Sequence, residues 1–383
     1  MKVGLVIRSF DASLGGAEHW TWQFAASLAA AGHEIHAVAS RFGSGTEEIG
    51  VARHVVPDVR STLDWAAAAE QVLKTLRLDV IHDMGHGWHC DVFQPHGGSR
   101  MASFEQNLLL LPRWLQGAKR RFAQRTPRYR AFNRLLARQY RPDGRRVIAL
   151  SKMVAGHMAR YHSISEKDLR LVYNGVDIER FSPEICDRHR AGVRRQLGLV
   201  DETLLLIVAH NFRLKGVPTL LRAVAKLRRA GRAVHLAVVG GKHLGRYRRL
   251  ARRLGAEKSV TFLGPRNDVI RYYGAADVYV HPTFYDPCSL VVLEALACGL
   301  PVITSRFNGA GELMREGVEG FVLQDPSDDG ELALRIRLLL DPGERRTMSA
   351  AARKLAEAHP FERNLRELTA VYEESAAQPR RAA

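Results

Sequence analysis

The chain opens on KVGLVIRSF, an unbroken apolar run of strand length, followed by a polar turn. From Ala17 to Ala31 the apolar residues then recur at helical spacing and stop at Gly32, a helix terminator. EIHAVAS and LDVIHDMG read as further strands, so the first hundred residues alternate strand and helix. The same alternation restarts after residue 200, where TLLLIVAH, VHLAVVGGK, VTFLG, DVYVHPT and PVITS are five strand candidates separated by helical stretches. This pattern predicts an α/β protein made of two doubly wound domains, each a mainly parallel sheet covered by helices. Boundaries fall near 1–170 and 171–358, and Pro360 opens a final amphipathic helix, FERNLRELTAVYEE. The last residues, AAQPRRAA, read as frayed. In open α/β sheets ligands bind beyond the carboxyl ends of the strands, so the residues just after these strands are the functional candidates.

Composition adds a partner class. Of 383 residues 46% are hydrophobic, enough for two cores, while 57 Lys and Arg against 40 Asp and Glu give a net charge of +17. That excess points to an anionic partner: nucleic acid, a membrane surface or a phosphorylated substrate. Much of it lies in LPRWLQGAKRRFAQRTPRYRAFNRLLARQYRPDGRR, residues 111–146 of a basic, aromatic insertion starting near 104, with twelve Lys or Arg and one acid, Asp143. Trp114, Phe122, Tyr129, Phe132 and Tyr140 are interleaved with the bases. Two readings stay open: a solvated face whose aromatics pack inward, or a helix on an anionic bilayer, with rings at the headgroups and each base contributing about 1 kcal/mol. No DNA or RNA motif accompanies the bases, so nucleic acid is not expected. Cys90, Cys186, Cys288 and Cys298 are scattered, as reduced thiols would be, and neither a cleavable signal pattern nor an apolar segment near the roughly 20 residues of a spanning helix is present. A soluble, cytoplasmic protein is expected.

The segment DPCSLVVLEALACGLPVITS, 286–305, carries acids at both ends of an apolar helical run, Asp286 and Glu294. Were both helical they would stand about 12 Å apart along the axis. Hydrolytic carboxylate pairs need about 5 to 9.5 Å, so the spacing favours one acid for each end of an elongated ligand. Between them Ser289 and Leu290 fall in a first helical turn, whose free N–H groups and positive end suit a phosphate. Sugar, phosphates and ribose is the order of groups in a nucleotide sugar.

This segment resembles the D/E-x7-E signature of the retaining glycosyltransferases of family four. NGVDIERFSP at 174–183, RLKG at 213–216, FLG at 262–264, ADVYVHPT at 276–283, GGAE at 15–18 and ALACGLPVI at 295–303 agree with the family in order and spacing. The resemblance implies the GT-B fold, two Rossmann-like domains facing across a cleft, with the last helix, 359–383, returning to the first domain. It implies that Glu294 holds the ribose hydroxyls and Asp286 faces the donor sugar. Here the family has Glu and a Gly-containing turn where this chain has Asp-Pro-Cys-Ser, one methylene shorter. Arg213 and Lys215 match the cations that neutralise the diphosphate, and Leu263 joins the donor contacts. The family's arginine is set at a position here filled by His210, which leaves Lys215 the stronger match.

Gly15 and Gly16 let the backbone approach the diphosphate at the start of the following helix. The loop lacks GxGxxG, so no dinucleotide is indicated. His96, in QPHGGSR, matches the position near the reacting sugar. HDMGHGWHCDVFQPH holds His82, His86, His89, Cys90 and His96; zinc is conceivable there, but acceptor phosphates bound by the histidines and Arg100 are preferred, since the spacing fits no compact metal site.

Together these imply a retaining transferase needing no metal and no cofactor, which moves a hexose, glucose by preference, from a nucleoside diphosphate sugar, UDP by preference. PRNDV at 265–269 and the basic insertion most resemble the family's lipopolysaccharide-core α-glucosyltransferases. A phosphorylated glycolipid acceptor and an anionic membrane would then be partners, with Arg100, Arg113, Trp114, Lys119, Arg120 and Arg121 facing them at the inner face of the inner membrane. Exopolysaccharide or glycolipid mannosyl- and glucosyltransferases, and the nucleotide-sugar 2-epimerases of the same fold, are the alternatives.

Overall fold

A computed structural model of the chain describes residues 1–377. It divides into two compact units: Met1–Tyr173 with the segment from Asn364 onward, and Asn174–Arg363. The sequence reading had placed these boundaries at 170 and 358. Of the stretch read as frayed, residues 378–383 lie outside the described residues.

The first unit is built on β1 (Lys2–Val6), β2 (Glu34–Ala39), β3 (Ala52–Val55), β4 (Val80–Asp83), β5 (Val92–Phe93), β6 (Arg146–Ala149) and β7 (Leu169–Leu171). They form one parallel sheet in the order β3-β2-β1-β4-β5-β6-β7. The opening run KVGLVIRSF is not one strand: β1 ends at Val6, and Ser9–Phe10 pairs with Arg41–Phe42 in a separate two-stranded sheet. The helix Gly16–Ala30 buries Trp20, Phe24 and Leu28. It stops where Gly32 takes φ +84, a left-handed conformation that glycine adopts without steric cost.

The basic insertion is three helices, Arg100–Leu109, Arg113–Arg125 and Pro127–Gln139, and its last two cations are internal. Arg146 opens the buried strand β6 and is held by Asp168 at 3.1 Å and Glu374 at 3.0 Å. Arg145 is paired with Asp143 and donates to the carbonyl of Trp88 at 2.6 Å. Glu374 belongs to the final helix, Phe361–Ala376, whose Tyr372 hydroxyl lies 2.6 Å from Nδ1 of the buried His82.

The second unit contains β8 (Thr203–Ala209), β9 (Val234–Gly240), β10 (Val260–Gly264), β11 (Val278–Val280), β12 (Val302–Ser305) and β13 (Gly320–Leu323). Their order, β10-β9-β8-β11-β12-β13, is the doubly wound arrangement in which the chain reverses direction of growth between β8 and β11. Every residue of β9, β11 and β12 is buried, as expected of a parallel sheet covered on both faces. The five strands read from the sequence are all present. β13 was not read: it is four residues long and begins at Gly320, φ +145, where a Cβ would come 1.8 Å from the carbonyl oxygen of Val302.

At the switch point β8 runs into the loop 210–216 and then the helix Val217–Arg229. Gly216 has φ +74, and a Cβ there would lie 2.0 Å from the carbonyl oxygen of Pro282, in the loop after β11. Gly231 has nearly the same φ, +71, but nothing within 4 Å of that Cβ position. Gly231→Ala should therefore cost only the left-handed strain, about 1–2 kcal/mol. Gly216→Ala should cost distinctly more, because backbone must also move; chemical denaturation of the two variants compares them directly.

Candidate functional site

The two loops that leave the switch point are joined to each other. Phe284 N–H donates to the carbonyl of Leu214 at 2.8 Å, and the Thr283 hydroxyl donates to the same carbonyl at 3.2 Å. This docking delivers Lys215 to the neighbouring loop, where its ammonium lies 2.5 Å from Asp286 Oδ2 and 3.2 Å from the carbonyl of Tyr285. Nε2 of the buried His281 lies 3.3 Å from the same carboxylate oxygen. The Asp286 main chain is fixed too, donating to Phe307 O at 2.8 Å and accepting from Gly309 N–H at 2.9 Å. Burial pushes the Asp286 pKa up, but the Lys215 charge and the His281 contact outweigh it, and the carboxyl is held below its ordinary value. The imidazole of His281 is also shifted below its ordinary value: burial lowers its pKa, and the facing carboxylate recovers only part of the loss.

The helix after this loop runs Leu290–Ala297, so Ser289 is its N-cap and Leu290 its first residue. Asp286 lies outside it, which removes the premise of a 12 Å axial separation between the two acids. The Ser289 side chain makes no capping bond, while its N–H donates to Asn308 Oδ1 at 3.2 Å. First-turn N–H groups therefore receive no bond from the cap side chain. Asn174 Nδ2 donates to the carbonyl of Cys288 at 2.7 Å, which ties the start of the unit to the acid loop.

Within the helix Glu294 accepts from the hydroxyl of the buried Tyr273 at 2.8 Å. Burial raises its pKa, partly offset by that bond and by the charge of Arg180. Arg213 is exposed on the loop that carries Lys215, and Leu263 is half-buried in the edge strand β10. The sequence reading gave Asp286 and Lys215 separate ligand contacts; the structure makes them an ion pair. His281, Tyr273 and Arg180 carried no role in that reading. The available signal was position: His281 is the first residue after β11, at the switch point. Asp277 is structural, bonded to Arg190, Arg194 and the N–H of Leu204, and burial pushes the Cys288 thiol up to about 12.

In the first unit Gly15 is the extended N-cap of the helix starting at Gly16. A Cβ on Gly15 would lie 2.8 Å from Glu18 Oε2, so a carboxylate already lies beside the helix start proposed for a diphosphate. His96, in the loop after β5, packs on Trp20 with ring centroids 4.6 Å apart, and its Nε2 is buried without a hydrogen-bond partner. Burial lowers the pKa of His82 and His96 to about 3 and that of His86 to about 4. Burial thus favours the neutral imidazoles, and a neutral ring offers one donor and one acceptor. Arg100 is the nearby cation, but it is largely buried and donates to the carbonyl of Gly85 at 2.9 Å rather than facing outward with the basic helices. Among the described residues no group of three or more His, Cys, Asp and Glu is placed to hold a metal ion.

The aromatic residues of the basic stretch fall into an inward-packed set and an exposed set. Tyr140 is buried, 5.2 Å from Phe93, and Tyr129 packs 5.8 Å from Phe104 and 6.0 Å from Phe132. Trp114 and Phe122 point outward, 79% and 68% exposed, on the helix Arg113–Arg125, which has no buried residue. Arg113, Lys119 and Arg121 are exposed beside them, while Arg120 is paired with Glu105. Among the described residues no helix is long and apolar enough to cross a membrane. A cavity of about 630 Å³ lined by Arg141, Arg145, Arg146, Lys167 and Asp168 also lies in this unit, but Arg145 and Arg146 are already neutralised by Asp143, Asp168 and Glu374.

Comparison with known proteins gives these features a family. The chain is 36% identical over 219 residues to a D-inositol 3-phosphate glycosyltransferase of Corynebacterium jeikeium, covering 54% of this chain and 52% of that protein. The corresponding protein of Thermobifida fusca is 33% identical over 250 residues, covering 61% and 56%. The chain thus spans about half the length of the curated relatives it matches. Among solved structures it resembles WaaG, a glycosyltransferase involved in lipopolysaccharide biosynthesis, with TM-score 0.81, 22% identity and 98% of each chain covered. Anabaena HepE in complex with UDP-glucose has TM-score 0.75 and 21% identity over 98% of this chain and all of that one. These likenesses identify the fold as GT-B, two Rossmann-like domains. The model of glycosyltransferase family 4 matches residues 14–180, and that of the group 1 glycosyl transferases matches 190–355. Because these two models together account for most of both units, the chain belongs to the group 1 glycosyltransferases of family 4.

Proposed function

We propose that the chain is a retaining, metal-independent hexosyltransferase that takes glucose from UDP-glucose and delivers it to a phosphorylated glycolipid of the lipopolysaccharide-core type. The observation that carries the donor half is the ion pair of Lys215 and Asp286 at the switch point of the second unit, in a loop that leads into the helix Leu290–Ala297, on which Tyr273 holds Glu294. Lys215 stabilises charge on the departing diphosphate. First-turn N–H groups receive its oxygens. Glu294, already oriented by Tyr273, accepts from the ribose hydroxyls, and Asp286 addresses the sugar. In the first unit Gly15, Gly16 and His96 are the residues the family resemblance assigns to the donor, His96 as a neutral hydrogen-bonding group. UDP is favoured as the carrier because the HepE structure holds UDP-glucose.

The acceptor half is supported by the exposed Trp114 and Phe122 among Arg113, Lys119 and Arg121, a combination suited to an anionic bilayer surface. The curated relatives favour a second reading, in which the acceptor is a soluble inositol phosphate. A transfer assay with UDP-, ADP- and GDP-sugars against a lipopolysaccharide-core acceptor and inositol phosphate separates these, and epimerised sugar in the absence of any acceptor would reject transfer altogether.

Lys215→Ala should lower kcat about 10²- to 10³-fold, as the loss of one preorganised charge contact at a leaving group does. Steady-state kinetics beside circular dichroism distinguishes that from unfolding. Glu294→Ala should weaken UDP binding about 10- to 100-fold, the scale of hydrogen bonds to a charged group; unchanged titration calorimetry would contradict the ribose role. Vesicles containing phosphatidylglycerol should bind the protein in a salt-sensitive way, and Trp114→Ala with Phe122→Ala should weaken that binding. Failure to sediment with them at low salt would remove the membrane from this reading.

A further inference from the structure

The residue that the family pattern leaves without a role is His281, and it touches the acid loop at its most constrained point. Its main chain is locked to β12: the N–H donates to Ile303 O at 2.7 Å, and its carbonyl accepts from the Thr304 hydroxyl at 3.0 Å. Its ring is buried between two groups, with the Tyr279 hydroxyl 3.3 Å from Nδ1 and Asp286 Oδ2 3.3 Å from Nε2. The rings of Tyr279 and His281 are stacked, with centroids 6.0 Å apart and planes 13° from parallel.

Proton counting fixes the tautomer. The Tyr279 oxygen lies 3.4 Å from both the N–H and the carbonyl of Val208. The amide can only donate to it, and the single phenolic proton goes either to Val208 O or to His281 Nδ1. In the first case the imidazole would carry its proton on Nδ1 and turn a bare Nε2 lone pair on a carboxylate, which is repulsive. In the second, Tyr279 donates to Nδ1 and Nε2–H donates to Asp286, so both contacts of the neutral ring are attractive, and only the longer Tyr279–Val208 carbonyl contact goes without its proton. The ionisable groups facing the ring are Lys215 from the loop after β8, Tyr279 from β11 and Asp286; β12 presents only Ile303 and Thr304.

Lys215 cannot serve a diphosphate fully while it remains the principal partner of Asp286. When the ammonium turns to the phosphates, a second donor must hold the carboxylate, or a buried anion is left free to swing. We propose that His281, set in one tautomer by Tyr279, is a positioning residue that keeps Asp286 aimed at the donor sugar as Lys215 transfers to the diphosphate. This rests on the donor-site reading above. It also accounts for Asp at a position where the family has Glu: the shorter side chain keeps its carboxylate within reach of a ring anchored on the adjacent strand.

The test uses the full chain with UDP-glucose and its acceptor. His281→Leu should lower kcat about 10- to 100-fold, the range of a hydrogen bond to a charged group. It should also move the acid limb of kcat against pH upward, because Asp286 loses a donor that favours its charged form. UDP affinity should stay within about 2-fold of wild type, the hydrogen bond being to the sugar-facing acid. His281→Gln, which can place an N–H near Nε2, should restore much of kcat, and Tyr279→Phe should move kcat and the acid limb in the same direction as His281→Leu. A His281→Leu enzyme with wild-type kcat and acid limb overturns the inference. So does loss of UDP affinity in parallel with kcat in all three variants, which would mark a structural role. Should the wild-type chain bind no nucleoside diphosphate, the donor-site reading itself fails and the inference with it; UDP binding and transfer by wild type with an indifferent His281→Leu defeats the inference alone.

Discussion

The buried carboxylate of Asp286 is the constraint around which the loop end of the second sheet is arranged. Removing an anion from water costs several kcal/mol unless opposite charge and hydrogen-bond donors replace the solvent. Here Lys215 supplies the charge, His281 stands at the same oxygen, and Phe307 and Gly309 hold the main chain. Each partner comes from a different strand end, so the carboxylate ties the loops after β8, β11 and β12 together. The positive φ of Gly216 belongs to the same arrangement, since only a residue without Cβ lets the Lys215 loop lie against Pro282. Fold and chemistry are coupled through this point: the doubly wound order sets β8 beside β11, and the reversal there makes room for the groups to converge.

The first unit answers the same need differently. Its histidines at the ends of β4 and β5 are kept neutral by burial, while its carboxylate is held by backbone donors. Burial holds the imidazoles of His82, His86 and His96 uncharged, and it raises the carboxyl of Asp83 to about 6 even though three backbone N–H groups, of Gly85, His86 and Gly87, donate to it at 2.7 Å. One unit thus has an ion pair at its switch point, and the other a set of neutral imidazoles that can each donate and accept one hydrogen bond.

The sequence made the second unit legible because a parallel sheet buries both faces of its strands and writes them as continuous apolar runs. All five such runs are strands, and the loops after the first and fourth of them carry Lys215 and Asp286. β13 escaped because it is only four residues long and opens on Gly320, and β6 because it opens with an arginine whose charge is cancelled by Asp168 and Glu374, the latter more than 200 positions away. The candidate site was legible as a list of residues and not as a set of bonds. Spacing put Asp286 and Glu294 eight positions apart but said nothing of where the helix begins, and nothing local to RLKG says that its lysine meets the acid of DPCS. His281 and Tyr273 were hidden for a further reason: in an apolar strand or helix, a polar residue that is fully satisfied by a distant partner looks the same as one that is merely tolerated.

The basic helices show where pattern reading reaches its limit. Aromatics and cations alternate along residues 111–146 with little to distinguish one ring from another. The difference between them is set by what lies opposite. Tyr140 faces Phe93 at the end of β5 and is drawn into the core, whereas the helix Arg113–Arg125 packs so lightly that none of its residues is buried. A helix with no buried residue gains little from tertiary packing, and one of this length is marginal in water on propensity alone. Exposing Trp114 and Phe122 adds the cost of leaving large apolar surface in water. Both costs are reversed by a single change of surroundings, an interface that receives the rings while its anionic headgroups meet the arginines and lysines beside them. The same two rings would be a liability on a surface that met only water, and the proposed membrane contact rests on that asymmetry.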